Sequence, residues 1–488
     1  MKRHLAAWSA ALLVGYSSSI ALAQDDPPPP NYTVDAAQGP VTGSTRMIGL
    51  GGAFVAIAEG GSGVAVNPAS VAVRAPWSWN RLDYGFSVDF AIGAWLPETD
   101  FLNQGDDAAD GETEEDADVE QRSLLFGSVG LSVQYEHAGF GVSADGQRQA
   151  LHGEGETSAG LAPTDLAGNF GIVHASIGYG FYDGQLHIGV GPRVTGVGLS
   201  GGSGASEILN VAGVGFQGGM IFKPVNHQYR VGATFKSAVT PALDSQLGGT
   251  EESAYRTSAI RLPWQASAGF AYQFGPRRLN PPFFSAEAQV MTLRHRIEQD
   301  RARRERAISE AERAVESEPS AENRQRLALL EAKHDVEAEA EDESLDESVE
   351  RAEKSLRREY LSRPRSYVLL TTELLVLGAS NGSIGFGSYY QGRSRVQVSG
   401  QNLTLSPRIG LETEVIENWL KLRAGSYWEP ARVETAKDRI HGTFGFELKT
   451  FSWDVFGLIG DFDSWTVSAA IDGAREYLST SFSIGFWH

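Results

Sequence analysis

Along much of this chain apolar and polar residues alternate one for one. From Leu186 one face carries Leu186, Ile188, Val190, Pro192 and Val194, and the other His187, Gly189, Gly191, Arg193 and Thr195. From Ile440 the two faces are Ile440, Phe444, Phe446 and Leu448 against His441, Thr443, Glu447 and Lys449. The last run sets Leu478, Phe482, Ile484 and Phe486 against Ser479, Ser481, Ser483 and Gly485. A period of two marks strands with two unlike faces. The runs last about 10 to 16 residues, the length of a tilted strand crossing a bilayer, whereas soluble strands usually stop near five or six.

Tight turns are expected at Ala138-Gly139, Asp183-Gly184, Asn226-His227, Asn381-Gly382, Glu417-Asn418 and Lys449 to Phe451. Longer polar connections fall near residues 98–121, 153–167, 244–258 and 294–365. Short turns at one end and long loops at the other are the asymmetry of bacterial outer-membrane barrels. The hairpin count predicts an all-β fold, a closed antiparallel transmembrane barrel of about fourteen to sixteen strands. Closure leaves no unpaired edge in lipid. Trp77, Trp79, Trp95, Trp264, Trp419, Trp428, Trp453 and Trp487 cluster near strand ends, as interfacial girdles require.

One block breaks the period. Residues 294–364 are rich in Arg, Glu and Ala and read as helices forming a coiled-coil-like hairpin. Pro319-Ser320 interrupts them, with Ser320 placed to cap the second helix. Leu345, Val349, Ala352, Leu356 and Tyr360 recur at helical spacing as a packing stripe. Arg294, Arg296, Arg301, Arg303, Arg304 and Arg306 lie early, and Asp335 through Glu350 is acidic, so a hairpin brings opposite signs together. Strand parity is expected to project this insertion outward from the cell.

Composition changes the picture in three ways. Apolar residues make up 41% of the 488 and mean hydropathy is -0.23, which a barrel tolerates because only alternate residues meet lipid. The net charge of -20 argues against nucleic acid despite the early arginines. No cysteine is present, which removes disulfides, thiolate catalysis and a lipoprotein anchor. Residues 1–23 read as a cleavable leader, with Lys2 and Arg3 before an apolar run and Ala21-Leu22-Ala23 as cleavage site. A linker with Pro27 to Pro30 follows, which favours an extended conformation.

Between linker and strands lies Gly49 to Ala72, GLGGAFVAIAEGGSGVAVNPASVA. Pro68 locks its own φ and biases Asn67 away from helix. This segment resembles the N-terminal hatch of FadL-like outer-membrane transporters of fatty acids and other hydrophobic compounds, and PorV-type barrels have a similar opening. The resemblance implies fourteen strands, a luminal plug over residues 24–76, barrel over 77–293 and 365–488, and release of an apolar ligand sideways into the membrane. Asn67, Pro68 and Ala69 match the family motif; they either shape a constriction or pin the plug to the wall. A kinked early strand opens the wall in that family, and Asp145-Gly146 is the candidate here, since a glycine inside a strand often marks a bend.

Catalytic chemistry is not expected. There is no G-x-S-x-G elbow and no H-E-x-x-H motif, so no enzyme, cofactor or metal is predicted. The acidic run Asp106 to Asp116 lacks the spacing of a calcium loop. Phe486-Trp487-His488 resembles the C-terminal signal read by barrel-insertion machinery, with His488 following the aromatics. Passive transport of a long-chain fatty acid or other hydrophobic small molecule is the leading expectation. It requires a continuous apolar pocket behind the plug and a gap in the wall. A PorV-like secretion or assembly partner would have a sealed polar lumen, and a surface-interaction protein would act through residues 294–364.

Overall fold

The computed structural model describes residues 32–487 except 38, 76–77, 79–80, 94–99, 104–117, 155–165, 202–206, 241–256, 284, 386–397, 434–435 and 453–463. The leader and linker, the run Asp106 to Asp116, and Trp77, Trp79, Trp95 and Trp453 fall outside the described residues.

The chain begins with β1 (Tyr32–Asp35), α1 (Thr45–Gly49), α2 (Gly60–Gly63) and a 3-10 turn (Pro68–Ala72). Long strands follow: β2 (Leu82–Gly93), β3 (Asp118–Tyr135), β4 (Ala138–Glu154), β5 (Leu166–Phe181), β6 (Leu186–Gly201), β7 (Glu207–Phe222) and β8 (Tyr229–Lys236). After the short β9 (Thr257–Arg261) and β10 (Gln265–Phe274) come two helices, α3 (Ala286–Ser317) and α4 (Ala321–Ser362). The chain ends with β11 (Val368–Leu377), β12 (Ser383–Gly385), β13 (Val398–Ser399), β14 (Thr404–Ile416), β15 (Leu420–Glu429), β16 (Arg439–Ser452), β17 (Ser464–Ala474) and β18 (Tyr477–Trp487).

Fourteen antiparallel strands close into a barrel, β2 to β8, β10, β11 and β14 to β18, and β18 returns to pair with β2. This is the lower end of the expected count. The alternation sorts as lipid and lumen demand. Ile440, Phe444, Ile188, Val190 and Val194 face outward and exposed, while His441, Thr443, Glu447, His187 and Arg193 are buried inside. Every barrel strand donates and accepts on both sides, so the apolar outer belt carries no open edge.

One end of the barrel carries tight connections at residues 136–137, 182–185, 223–228 and 417–419. Glu136, Asp183, Asn226 and Asn418 take positive φ there, the twist that short hairpins need. The other end carries the long connections 94–117, 155–165, 237–264 and 378–403. Two of the turns expected from the sequence are placed differently. Asn381-Gly382 lies within a long connection, and β16 runs through Lys449 to Phe451 with a register shift. At the long-loop end β1 inserts parallel between β9 and β12, giving a four-stranded cap, β13-β12-β1-β9.

The helical insertion leaves from the opposite end to the one expected. β10 is the eighth barrel strand, so its outgoing connection falls where β3, β5 and β7 also turn. Short turns mark the inner side of outer-membrane barrels, whereas the expected projection was outward. The insertion also starts earlier than residue 294, at Ala286. The cap, most of the stripe and the pairing of opposite charges are found as expected, while Tyr360 lies outside the packed cluster. Ser320 caps α4 by accepting from the Asn323 N–H at 3.1 Å. Ala286, Val290, Ala352 and Leu356 form a buried cluster with Leu345 and Val349 packed on it. Arg301 bridges Glu341 and Asp342, and Arg304 bridges Glu337 and Glu341, at 2.6–3.3 Å. Hydrogen bonding from Arg304, then from Arg301, holds the Glu341 carboxyl below the ordinary carboxylate range.

Candidate functional site: the plug in the lumen

The plug is made of very short elements joined by turns that bond within it, such as Ile48 to Ser44 and Asn67 to Gly63, and further backbone groups turn toward the wall. A buried unpaired N–H or C=O is costly, and the barrel wall supplies the missing partners. Asp89 accepts from the Thr45 N–H at 2.7 Å. Glu373 accepts from the N–H groups of Phe54 and Val55 at 3.0 and 2.9 Å. Thr371 donates to the Ala53 carbonyl, Lys236 to Ala65 and Gln134 to Ala72, at 2.6–2.9 Å. The polar lumen is therefore the plug's hydrogen-bonding complement as much as a solvent path.

A charged lock adds to this. Arg46 of the plug bridges Glu59 at 2.7 Å and Glu412 of β14 at 3.0 Å. Glu412 is shared with Arg423 at 2.7 Å, and Arg423 also contacts Glu447, which takes Lys421 at 2.6 Å. Glu59 meets Arg230 of β8 at 3.1 Å. Higher up, His441 lies between Asp472 at 2.9 Å and Glu429 at 2.7 Å, with Arg439 bidentate on Glu429. The Tyr427 hydroxyl donates to Asp472 and accepts from the plug's Val41 N–H.

Asn67, Pro68 and Ala69 come together at the foot of the plug. The Asn67 side chain accepts from the Ala69 N–H at 3.1 Å, fixing a turn that Pro68 begins. Its amide nitrogen donates to the carbonyls of Val55 and Met220, each at 3.1 Å. Wall glycines receive the turn: a Cβ at Gly189 would collide with the Pro68 carbonyl, and one at Gly219 with the Asn67 amide. The motif thus joins plug and wall, with Asn67 and Ala69 fully buried.

Asp145 and Gly146 sit apart from this turn. Both neighbours of β4 pair through them without a shift, Asp145 with Ser128 and Ile172, Gly146 with Gly127 and Gly171. Asp145 points inward, accepting from the Ser128 hydroxyl at 2.6 Å and lying 3.6 Å from His174. The ladder lapses elsewhere. β5 and β6 pair as far as His174 with Arg193 and resume at Ile177 with Val190, skipping Ala175, Ser176, Gly191 and Pro192. Pro192 has no N–H to give. On the loop side of that lapse Phe170, Val197 and Val211 stand in register across β5, β6 and β7 on the luminal face, with Ile172 beside them.

A cavity of about 440 Å³ lies at the short-turn end, between the plug, the strand ends and the root of α4. Arg46, Glu59, Arg230 and Glu412 line it together with Phe86, Leu279, Leu361, Ile484 and Phe486, so its wall mixes buried charge with apolar surface. Neither Asn67, Pro68 nor Ala69 borders it. Among the described residues no group of acids and histidines has the arrangement of a metal site. Sequence reasoning missed Arg46, Glu412 and Arg423. Their signal was visible only as polar positions in alternating strands, which does not say which ones meet.

No protein-family model matches the chain, and no curated protein matches it. Solved structures do. A Pseudomonas aeruginosa FadL homologue is 12% identical, with 92% of this chain and 98% of that one covered and a TM-score of 0.44. The monoaromatic hydrocarbon channel CymD gives 11%, 92%, 98% and 0.44, and the P. putida toluene transporter TodX 10%, 92%, 99% and 0.43. The chain is similar to these in fold.

Proposed function

We propose that this chain is an outer-membrane channel that takes a hydrophobic small molecule at the loop end and passes it sideways into lipid. The observation that carries the reading is the luminal row Phe170, Val197 and Val211 beside the β5–β6 ladder lapse. The plug closes the straight route, and Asn67, Pro68 and Ala69 keep it seated. An apolar solute leaving through the wall gains burial at about 25 cal/mol per Å², whereas a polar one gains nothing in lipid. In this reading the exit lies at Pro192 instead of the kink sought at Asp145 and Gly146. Long-chain fatty acids are the cargo that the resemblance implies, and insertion by the barrel machinery is the reading of Phe486-Trp487-His488. No catalytic step is part of the reading.

The filled, polar lumen favours a second reading, a PorV-like docking partner in secretion or assembly. The two separate in one uptake experiment. Cells lacking the chain receive wild type, Val197→Trp or Asn67→Ala at equal surface levels, and labelled oleate and labelled toluene are followed. Transport predicts restored uptake of at least one probe by wild type and a loss with Val197→Trp. Identical uptake of both probes with and without the chain would overturn it.

A further inference from the structure

The arm formed by α3 and α4 presents two unlike outer faces. α3 alone is roughly 48 Å long at 1.5 Å per residue over its 32 residues. Its inner face meets α4, and the exposed face opposite carries Arg296, Arg303, Arg306 and Arg313. The exposed face of α4 carries Asp346, Glu343, Glu339, Val336 and Leu329, at spacings of three, four, three and seven. Val336 and Leu329 are 68% and 65% exposed, unusual for apolar residues midway along a charged helix. Among the described residues Glu339, Glu343 and Asp346 make no ion pair; the inner arginines are consumed within the hairpin, and on the outer face Arg303 reaches only the exposed Asp300 of its own helix, at 3.5 Å.

The antiparallel register sets which residues share a level. Arg301 opposes Glu341 and Arg304 opposes Glu337, so Arg296 stands level with Asp346 and Arg303 with Glu339, on opposite outer faces. Farther out, Arg306 is level with Val336 and Arg313 with Leu329. An arginine stem can cover an apolar side chain while its head stays wet. Each outer face is therefore complementary to the other at matching heights, and the two cannot meet within one arm.

We propose that the arms of neighbouring copies pack side by side, the arginine face of α3 in one copy against the acidic and apolar face of α4 in the next. A shared membrane makes this contact possible, because the lipid belts hold all barrels upright at one height and all arms on one side. The contact is head to tail, so it closes into a ring about the membrane normal or runs on as a row. Confinement raises the effective concentration, which lets individually weak surface pairs hold. The inference uses only the membrane position from the channel reading and stands whether or not the chain transports anything.

The natural chain has no cysteine, so introduced thiols report one contact. Arg303→Cys and Glu339→Cys are made separately and together in the full chain and oxidised in intact outer membranes. The expected result is dimers when the two single variants are co-expressed, and a ladder of higher species from the double variant. Neither single variant alone should cross-link. Absence of dimers from the co-expressed pair, with both thiols open to maleimide and the barrels folded, would overturn the proposal, as would dimers from either single variant alone. Charge exchange gives a second measure. Arg296→Glu with Arg303→Glu should abolish the larger species on native gels, and adding Glu339→Arg and Asp346→Arg should restore them; failure of both changes to alter the pattern counts against it.

Discussion

The plug–wall interface and the α3–α4 arm use the same chemistry with different consequences. Both join arginines to carboxylates: Arg423 to Glu412 at 2.7 Å in the lumen, Arg304 to Glu341 at 2.6 Å in the arm. The luminal side chains are 1% and 3% exposed, the arm pair 19% and 20%. A buried charge whose partner is removed stays desolvated and uncompensated, whereas an exposed one rehydrates. In the lumen charged and polar wall side chains also hold backbone groups that the plug's own turns leave over, such as the N–H groups of Phe54 and Val55. In the arm the helices satisfy their own backbone, and the pairs only choose how the helices lie together. The lumen network is thus obligatory once it exists, and the arm network is adjustable.

The sharpest way to break this contrast is Arg423→Met, which leaves Glu412 and Glu447 short of a cation. A loss of about 3–5 kcal/mol is expected, read as a lower denaturant midpoint of the detergent-solubilised barrel. Leu356→Ala at the arm's root should cost about 2–5 kcal/mol, but only locally. Amide exchange should rise in α3 and α4 and stay unchanged in the strands. Asn67→Ala strands the carbonyls of Val55 and Met220, at roughly 1–3 kcal/mol. It should be seen as protease access to residues 45–75 in an otherwise folded barrel.

The smallest effect is a pH dependence. Because Glu341 titrates below its ordinary value of 4.5 in the folded arm, its contribution is fully present above that pH and is lost as pH falls through the lowered value. For an exposed pair the size is about 0.2–1 kcal/mol. Amide exchange of the arm between neutral pH and pH 3 measures it. Glu341→Gln should flatten that profile, and an unchanged profile would show that Arg304 and Glu341 do not stabilise the hairpin.

Much of the barrel was legible because lipid on one side and a polar lumen on the other impose a period of two, which a sequence records directly. Ser320, the stripe from Leu345 to Leu356 and the opposed charges of the hairpin were legible for the same reason: local geometry decides them. The side on which the arm leaves was not legible. It depends on the parity of a strand count, and a turn that lies inside a long connection, such as Asn381-Gly382, is enough to alter it. Within the plug, Asn67-Pro68-Ala69 announced a turn, while its partners lie at Met220 and Gly219, distant in sequence. Asp145-Gly146 shows the converse. A glycine in a strand suggested a bend, yet both neighbouring ladders run through it, and the lapse occurs at Pro192, where a donor is missing.

The amino-acid order by itself determined the class of fold, the rigid turn at Asn67-Pro68-Ala69 and the two helices of the arm, because each follows from interactions a few residues apart. Tertiary structure alone decided that Arg46 reaches Glu412, that the plug fills a polar lumen and that the arm stands with the short turns. Those outcomes depend on closing fourteen strands into one ring, and closure brings together residues whose separation along the chain carries no trace of their meeting.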